Sequence, residues 1–159
     1  MDMGRRTAIK AGGAAALAAT TSQAQAADTA NPLAAFIAAD GSAIKAVQVS
    51  VGADGKTGIA DADIPADNSP YPLFKQFLTH KASATAIYAA PPHHKIVGTK
   101  NDAKEILFIV AGETTLKAGG TVRKCPAGSV ILLDAGSGAG LAEQAGPEGY
   151  TGVKVQLAD

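Results

Sequence analysis

Apolar and polar residues alternate with a period of two over several short segments of the chain. Val47, Val49 and Val51 fall on one face of the first such segment, with polar residues between them. This alternation is typical of a half-buried β-strand. An Asp-Gly pair at 54–55 predicts a tight turn, after which residues 57–60 return as the partner strand.

Segments of the same kind recur toward the end of the chain. Residues 61–70 read as a polar loop, and residues 71–78 are ambiguous between helix and strand. The remaining predicted strands cover residues 81–90, 104–112, 113–118, 122 onward, 129–134 and 150–157. Gly119-Gly120 predicts the turn that leads into the strand from residue 122. In the last strand Thr151, Val153, Val155 and Leu157 share one face.

Many short strands separated by Gly and Pro turns, with little helix, predict an all-β fold. An antiparallel sandwich or barrel is the architecture that this pattern favours. The chain has 159 residues and no internal repeat, which suits one domain with one core.

The first residues have the features of a targeting signal. Arg5-Arg6 precedes Ile9 and Lys10, a weakly apolar stretch covers 11–20, and residues 24–26 read Ala-Gln-Ala. This order resembles a twin-arginine export signal, which implies delivery to the periplasm. We therefore predict a signal peptide at 1–26, an N-terminal arm at 27–43 and the barrel at 44–159. A disordered Ala-rich tail is the alternative for the first segment.

The N-terminal arm and the net charge of the chain point to no particular binding partner. Leu33, Phe36 and Ile37 have helical spacing, so a short amphipathic helix or an arm on the barrel is expected. The formal charge of the chain is +0, and removing residues 1–26 takes away three basic residues and one acidic residue, which leaves −2. Such a surface gives no electrostatic reason to bind nucleic acid or an anionic membrane. Outside the leader, no run of 18 apolar residues predicts a membrane span.

The candidate chemistry is concentrated between residues 91 and 128. His93 and His94 are adjacent, and Glu105 is followed by six residues and then Gly112. This arrangement resembles the first conserved motif of the cupin superfamily. The resemblance implies a cupin-like double-stranded β-helix, a jelly-roll barrel, in which histidines and a glutamate on adjoining strands hold a metal.

The resemblance is incomplete. Cupins space the two histidines as H-x-H, so that both point into the barrel, whereas neighbours such as His93 and His94 face opposite sides of a regular strand. Pro126-x-Gly128 resembles the start of the second motif, but no histidine follows near Ala139. His80 is the remaining histidine of the chain.

Two kinds of site therefore stay open. His93, His94, Glu105 and His80 are the tentative ligands of one divalent metal ion, Fe, Mn, Zn or Ni, as the resemblance implies. Without a metal, Glu105 and His94 are the candidates for acid and base catalysis. Glu105 shares a strand face with Leu107 and Ile109, and we expect that face to point inward.

The sequence supports three functions and names no substrate. The first is an exported small cupin that binds a small organic ligand, with a degenerate metal site. The second is a metal-dependent oxygenase, isomerase or lyase, and the third is a structural or partner-binding protein. A homodimer is a family expectation only. Cys125 is the single cysteine, so no internal disulfide forms, and we expect its thiol to be buried and inert.

Overall fold

Strands make up all the regular structure that the computed structural model describes, which comprises residues 42–67, 81–98 and 100–158. The eight strands are β1 (Ala43–Val51), β2 (Thr57–Pro65), β3 (Ala82–Ala90), β4 (Lys95–Val97), β5 (Glu105–Ala118), β6 (Thr121–Pro126), β7 (Val130–Leu133) and β8 (Ala142–Leu157). The predicted fold class, an all-β cupin-like jelly-roll barrel, is confirmed at the level of strand content and layer arrangement. Within the described ranges no helix is long and apolar enough to cross a membrane.

Two long strands form the frame of the molecule. The sheet order is β2-β1-β7-β5-β8-β3, with β6 beside β5 and β4 beside β8. The first half of β5 pairs with β7 and with the second half of β8. The second half of β5 pairs with β6 and with the first half of β8. The sheet therefore folds back on itself at the middle of β5 and β8, and this produces two facing layers. The first layer contains β1, β2, β3, β7, the first half of β5 and the second half of β8, and the second layer contains β4, β6 and the other halves of β5 and β8.

The main core lies between these layers. Leu107 and Ile109 come from the first half of β5, and Leu116 comes from its second half, yet all three belong to one buried cluster. Cys125 on β6 and Ile131 on β7 are fully buried in the same cluster. The buried position predicted for Cys125 is thereby confirmed. We call the strand faces that line this cluster the inner face.

A second, smaller apolar cluster lies on the opposite face of the same strands. Its buried members are Ala46, Ile64, Ile106 and Val130. Because side chains alternate along a strand, Ile106 points away from its neighbours Leu107 and Glu105. The strands of the first layer thus carry apolar residues on both faces.

Three predicted boundaries are wrong. The polar loop expected from residue 61 is strand as far as Pro65, because β2 pairs with the whole of β1. The strands expected at 104–112 and 113–118 are one continuous β5, in which Gly112 adopts a φ of 72° at an irregularity of the ladder. The last strand begins at Ala142, eight residues before the predicted start at residue 150.

Several predictions concern residues outside the described ranges. These are the signal peptide at 1–26, the arm up to residue 41, the ambiguous segment 71–78 and the candidate ligand His80. They stay predictions.

Candidate functional site

Lys154 is a charged residue on the inner face of β8. It lies opposite Leu107 on β5 and opposite Ala86 on β3. Leu107 belongs to the main core, so the side chain of Lys154 starts from the core side of the sheet. Gly152, two residues earlier, leaves room there, since a Cβ at that position would come within 2.9 Å of a methyl carbon of Leu107.

Glu105 is the ion-pair partner of Lys154. The Lys154 Nζ lies 3.3 Å from the Glu105 Oε2. Only 16% of the Glu105 side chain is exposed, against 40% of the Lys154 side chain. A carboxylate so largely removed from water needs a partner, and the ammonium group supplies one. Glu105 also lies directly opposite Leu133, a residue that packs against the main core.

Two tyrosines extend this polar group along the inner face. The Tyr88 and Tyr150 hydroxyl oxygens are 3.4 Å apart, and the two rings pack edge to face with centroids separated by 5.8 Å. The Lys154 Nζ lies 6.0 Å from the centroid of the Tyr88 ring. At that distance the ammonium group is at the outer limit of a cation–π contact.

Glu143 and Thr114 complete the set from the second layer. The Thr114 hydroxyl donates to the Glu143 Oε1 at 3.0 Å, and Glu143 is close enough to Tyr150 to affect the pKa of its hydroxyl. We call these residues the inner polar row, which consists of Thr114, Glu143, Tyr150, Tyr88, Lys154 and Glu105. Hydrogen bonds join Thr114 to Glu143 and Tyr150 to Tyr88, and an ion pair joins Lys154 to Glu105.

The two phenols are held in their protonated form. Burial raises the pKa of Tyr88 to about 12, the hydrogen bond from Tyr150 opposes this, and the charges of Glu143 and Glu105 add to it. Burial also raises the pKa of Tyr150, and the neighbouring Glu143 carboxylate and Tyr88 hydroxyl raise it further. The row therefore combines protonated hydroxyl groups with the ammonium group of Lys154 and the carboxylates of Glu105 and Glu143.

The histidine pair lies elsewhere. His93 and His94 are exposed in the turn between β3 and β4, where the His94 amide donates to the Pro91 carbonyl oxygen at 3.1 Å. His93 has a φ of 58°, which suits the third position of a type II turn and is uncommon for a residue other than glycine.

The turn contacts β8 near the first residues of that strand. Glu105, on β5, pairs with β8 near the last residues of β8. The Ala145 amide donates to the His94 carbonyl oxygen at 2.8 Å. Glu105 instead pairs with Gln156. The pairing therefore does not bring Glu105 together with either histidine of the turn, so the acid–base pair of Glu105 and His94 is not assembled here.

The metal site that the resemblance implies does not fit the described residues. In residues 42–67, 81–98 and 100–158, no three His, Cys, Asp or Glu side chains come together as a potential metal site. Glu105 already has a cationic partner in Lys154. Ala139, where the resemblance would place a further histidine, is exposed in the turn after β7. His80 lies outside the described ranges, and its role stays a prediction.

Sequence reasoning identified Glu105 and missed the other members of the row. The last strand gave no signal for this, because the apolar face with Thr151, Val153 and Val155 leaves Lys154 on the side that alternation predicts to be exposed. Alternation by itself would place such a lysine on the solvent face, so only the observed pairing of Lys154 with core residue Leu107 assigns it to the inner face. Its partner could not be deduced, since Glu105 lies 49 residues earlier in the sequence.

No protein-family model matches the chain, and no curated protein matches it either. Solved structures similar to it include a protein of unknown function from Rhizobium leguminosarum, with 9% identity, a TM-score of 0.43 and coverage of 72% of this chain and 82% of that one. A Cupin 2 conserved barrel domain protein from Salinispora arenicola has 17% identity and a TM-score of 0.42, with coverage of 60% and 76%. A predicted oxalate decarboxylase from Thermotoga maritima has 19% identity and a TM-score of 0.37, with coverage of 71% and 93%.

Proposed function

We propose that the chain is a small cupin that binds a small organic molecule at the inner polar row. The motif spacing from Glu105 to Gly112 supports the cupin assignment, as does a barrel in which Glu105 starts the central strand β5. The observation that carries the binding proposal is the Glu105–Lys154 ion pair, which lies on a core-facing surface and is still partly exposed. A charged pair with no function is more stable on the outside of a barrel.

The chemistry of the row favours a neutral, oxygen-bearing ligand. Lys154 donates hydrogen bonds and Glu105 accepts them, so together they suit a molecule with both carbonyl and hydroxyl groups. The pair is neutral overall, and a ligand with a net charge would have to compete with one of its members. The Tyr88 ring offers an apolar surface beside the same ammonium group.

A thermal-shift screen of neutral hydroxy-carbonyl compounds and polyols tests this proposal. We expect a subset of them to raise the melting temperature, because a ligand that binds only the folded state stabilises it. Lys154→Met should remove that shift. Lys117→Met is the matched control, since Lys117 is exposed and points to the opposite side of β5 from buried Leu116. Equal shifts in both variants would contradict the assignment of the site.

We further propose that the protein is exported to the periplasm by the twin-arginine route. The order of Arg5-Arg6, a weak apolar stretch and a small-residue site at 24–26 supports this. Replacing both arginines by lysine should leave the precursor in the cytoplasm, as seen by fractionation and immunoblotting. Normal delivery of the double variant would refute the twin-arginine assignment.

A metal-dependent reaction is not favoured by the described donors. Binding is the better-supported function, because the ion pair of the inner polar row is partly exposed whereas no metal-ligand cluster is found among the described residues.

A further inference from the structure

A cavity lies between β2 and β1 of the first layer and β6 of the second layer. Its volume is about 970 Å³, and its lining includes Asp61 and Asp63 from β2, Lys45 from β1 and Arg123 from β6. No member of the inner polar row is among the lining residues. The cavity is therefore a second place at which the chain has room for a small molecule.

The charged groups of this cavity lie on strand faces that point between the layers. Asp61 is directly opposite Val47, which belongs to the main core. Arg123 is directly opposite Leu116, which is also a core residue. Because directly opposite residues of an antiparallel pair share a face, Asp61 and Arg123 project toward each other from facing layers. They meet in an ion pair between the Arg123 Nη2 and the Asp61 Oδ1.

This ion pair leaves both of its members with unused hydrogen-bonding capacity. A guanidinium group carries several N–H donors, and Arg123 contacts Asp61 through Nη2 alone. The Oδ2 of Asp61 has no partner among the described residues. By contrast, Lys45 contacts both carboxylate oxygens of Asp63, at 2.8 Å and 3.0 Å. Free donors and a free acceptor therefore lie side by side at Arg123 and Asp61.

Ser129 adds a buried hydroxyl group to the same cavity. The residue lines the cavity just before β7 and is 8% exposed. Its amide donates to the Pro126 carbonyl oxygen, and its carbonyl oxygen accepts from the Ile109 amide, both at 3.0 Å. Its hydroxyl has no hydrogen-bond partner in the described part of the chain. A hydroxyl on so buried a residue costs stability until something bonds to it, and a molecule in the cavity would do so.

We propose that this cavity binds a small zwitterion, an α-amino acid, at Arg123, Asp61 and Ser129. The free N–H groups of Arg123 match a carboxylate, the free oxygen of Asp61 matches an ammonium group, and a hydroxyl bonds to either. A simple anion would be repelled by Asp61, and a simple cation would be repelled by Arg123. A further basic residue of the lining, Lys124, is already engaged by Glu113 at 2.7 Å. The cavity therefore selects a molecule that carries both charges.

Isothermal titration of the full chain with L-leucine and two analogues is the first test. L-leucine has both charged groups, isocaproate lacks the ammonium group, and isoamylamine lacks the carboxylate. We expect L-leucine to bind and each analogue to bind at least about 10-fold more weakly, because each loses one charge-assisted contact and keeps one repulsion. A failure of L-leucine to bind, or equal binding of either analogue, would overturn the proposal.

Variants then locate the site on the protein. Asp61→Asn, Arg123→Gln and Ser129→Ala should each weaken L-leucine binding by about 10-fold. Ser129→Ala should also leave the melting temperature of the free protein equal or higher, because it removes a hydroxyl that has no partner. Lys56→Gln is the matched control, since Lys56 forms an exposed ion pair with Asp54 outside the cavity. Unchanged binding in the three cavity variants, or equal weakening by Lys56→Gln, would show that the amino acid binds elsewhere.

Discussion

Lys154 neutralises a carboxylate that would otherwise be largely buried without a partner. The 3.3 Å contact to Glu105 explains how a charged group persists beside an apolar core. The sequence predicted Glu105 as a metal ligand or an acid–base residue, whereas in the structure it forms an ion pair with Lys154. A carboxylate on this strand face needs a cation, and the chain supplies that cation from β8.

A double-mutant cycle on this pair measures its strength. Glu105→Gln and Lys154→Met should each lower the free energy of unfolding, and the coupling between them should be about 1 kcal/mol. The exposed pair Lys45–Asp63, treated in the same way, should give a smaller coupling, because water screens it more. Chemical denaturation provides the four free energies of each cycle. A coupling near zero at Glu105 and Lys154 would show that the pair has no energetic significance.

Cys125 is a second residue whose surroundings fix its chemistry. Burial raises the pKa of its thiol to about 11, well above the ordinary value for cysteine. The unfolded chain therefore ionises first as the pH rises, which favours unfolding. The contribution of the protonated Cys125 thiol to the free energy of unfolding is complete below about pH 9 and is lost as the pH approaches 11.

Two measurements follow from this shift. A thiol reagent should label Cys125 slowly in the folded protein at pH 8 and rapidly in denaturant. The free energy of unfolding should fall between pH 9 and pH 10, and Cys125→Ala should reduce that slope. Rapid labelling of the folded protein would place the thiol at the surface instead.

At the scale of elements, the crossing of β5 and β8 determines the shape of the barrel. Gly112 and Gly149 approach each other where both long strands pass from one layer to the next. A Cβ on Gly112 would overlap the carbonyl oxygen of Gly149, and the φ of Gly112 is 72°. Only glycine satisfies both conditions without a shift of the backbone.

Gly112→Ala should therefore be strongly destabilising. We expect a loss of more than about 2 kcal/mol, because the new methyl group meets the backbone as well as an unfavourable φ. Gly120→Ala provides the control, since Gly120 has a φ of 81° but open space around it. That change should cost only about 1 kcal/mol from backbone strain. Equal losses in thermal or chemical denaturation would show that close approach at the crossing is unimportant.

The strand pattern of the sequence predicted element type better than element length. Alternation at Val47 and Val49 identified β1, and the apolar run after Glu105 identified β5. The start of β8 was missed because residues 142–149 include two glycines and a proline and show no alternation. Their strand conformation depends on pairing with β4 and with the second half of β5, which is tertiary information.

At the scale of the whole molecule, the fold class could be predicted and the composition of the site could not. Motif spacing singled out Glu105 as an inner residue of a barrel. It could not reveal that Lys154 faces Glu105, because ladder register decides which distant residues meet. The metal hypothesis rested on His93 and His94 because they lie close to Glu105 in the sequence. In the structure, the turn at Pro91 leaves both histidines exposed to solvent.

We expect the folded protein to carry a small organic molecule at its inner polar row. Native mass spectrometry of the protein purified from its own compartment tests this claim most directly. We expect a co-purifying neutral organic molecule that is lost in Lys154→Met and retained in Lys117→Met. A bound divalent metal with no organic molecule, or an organic adduct that survives Lys154→Met unchanged, would contradict the account.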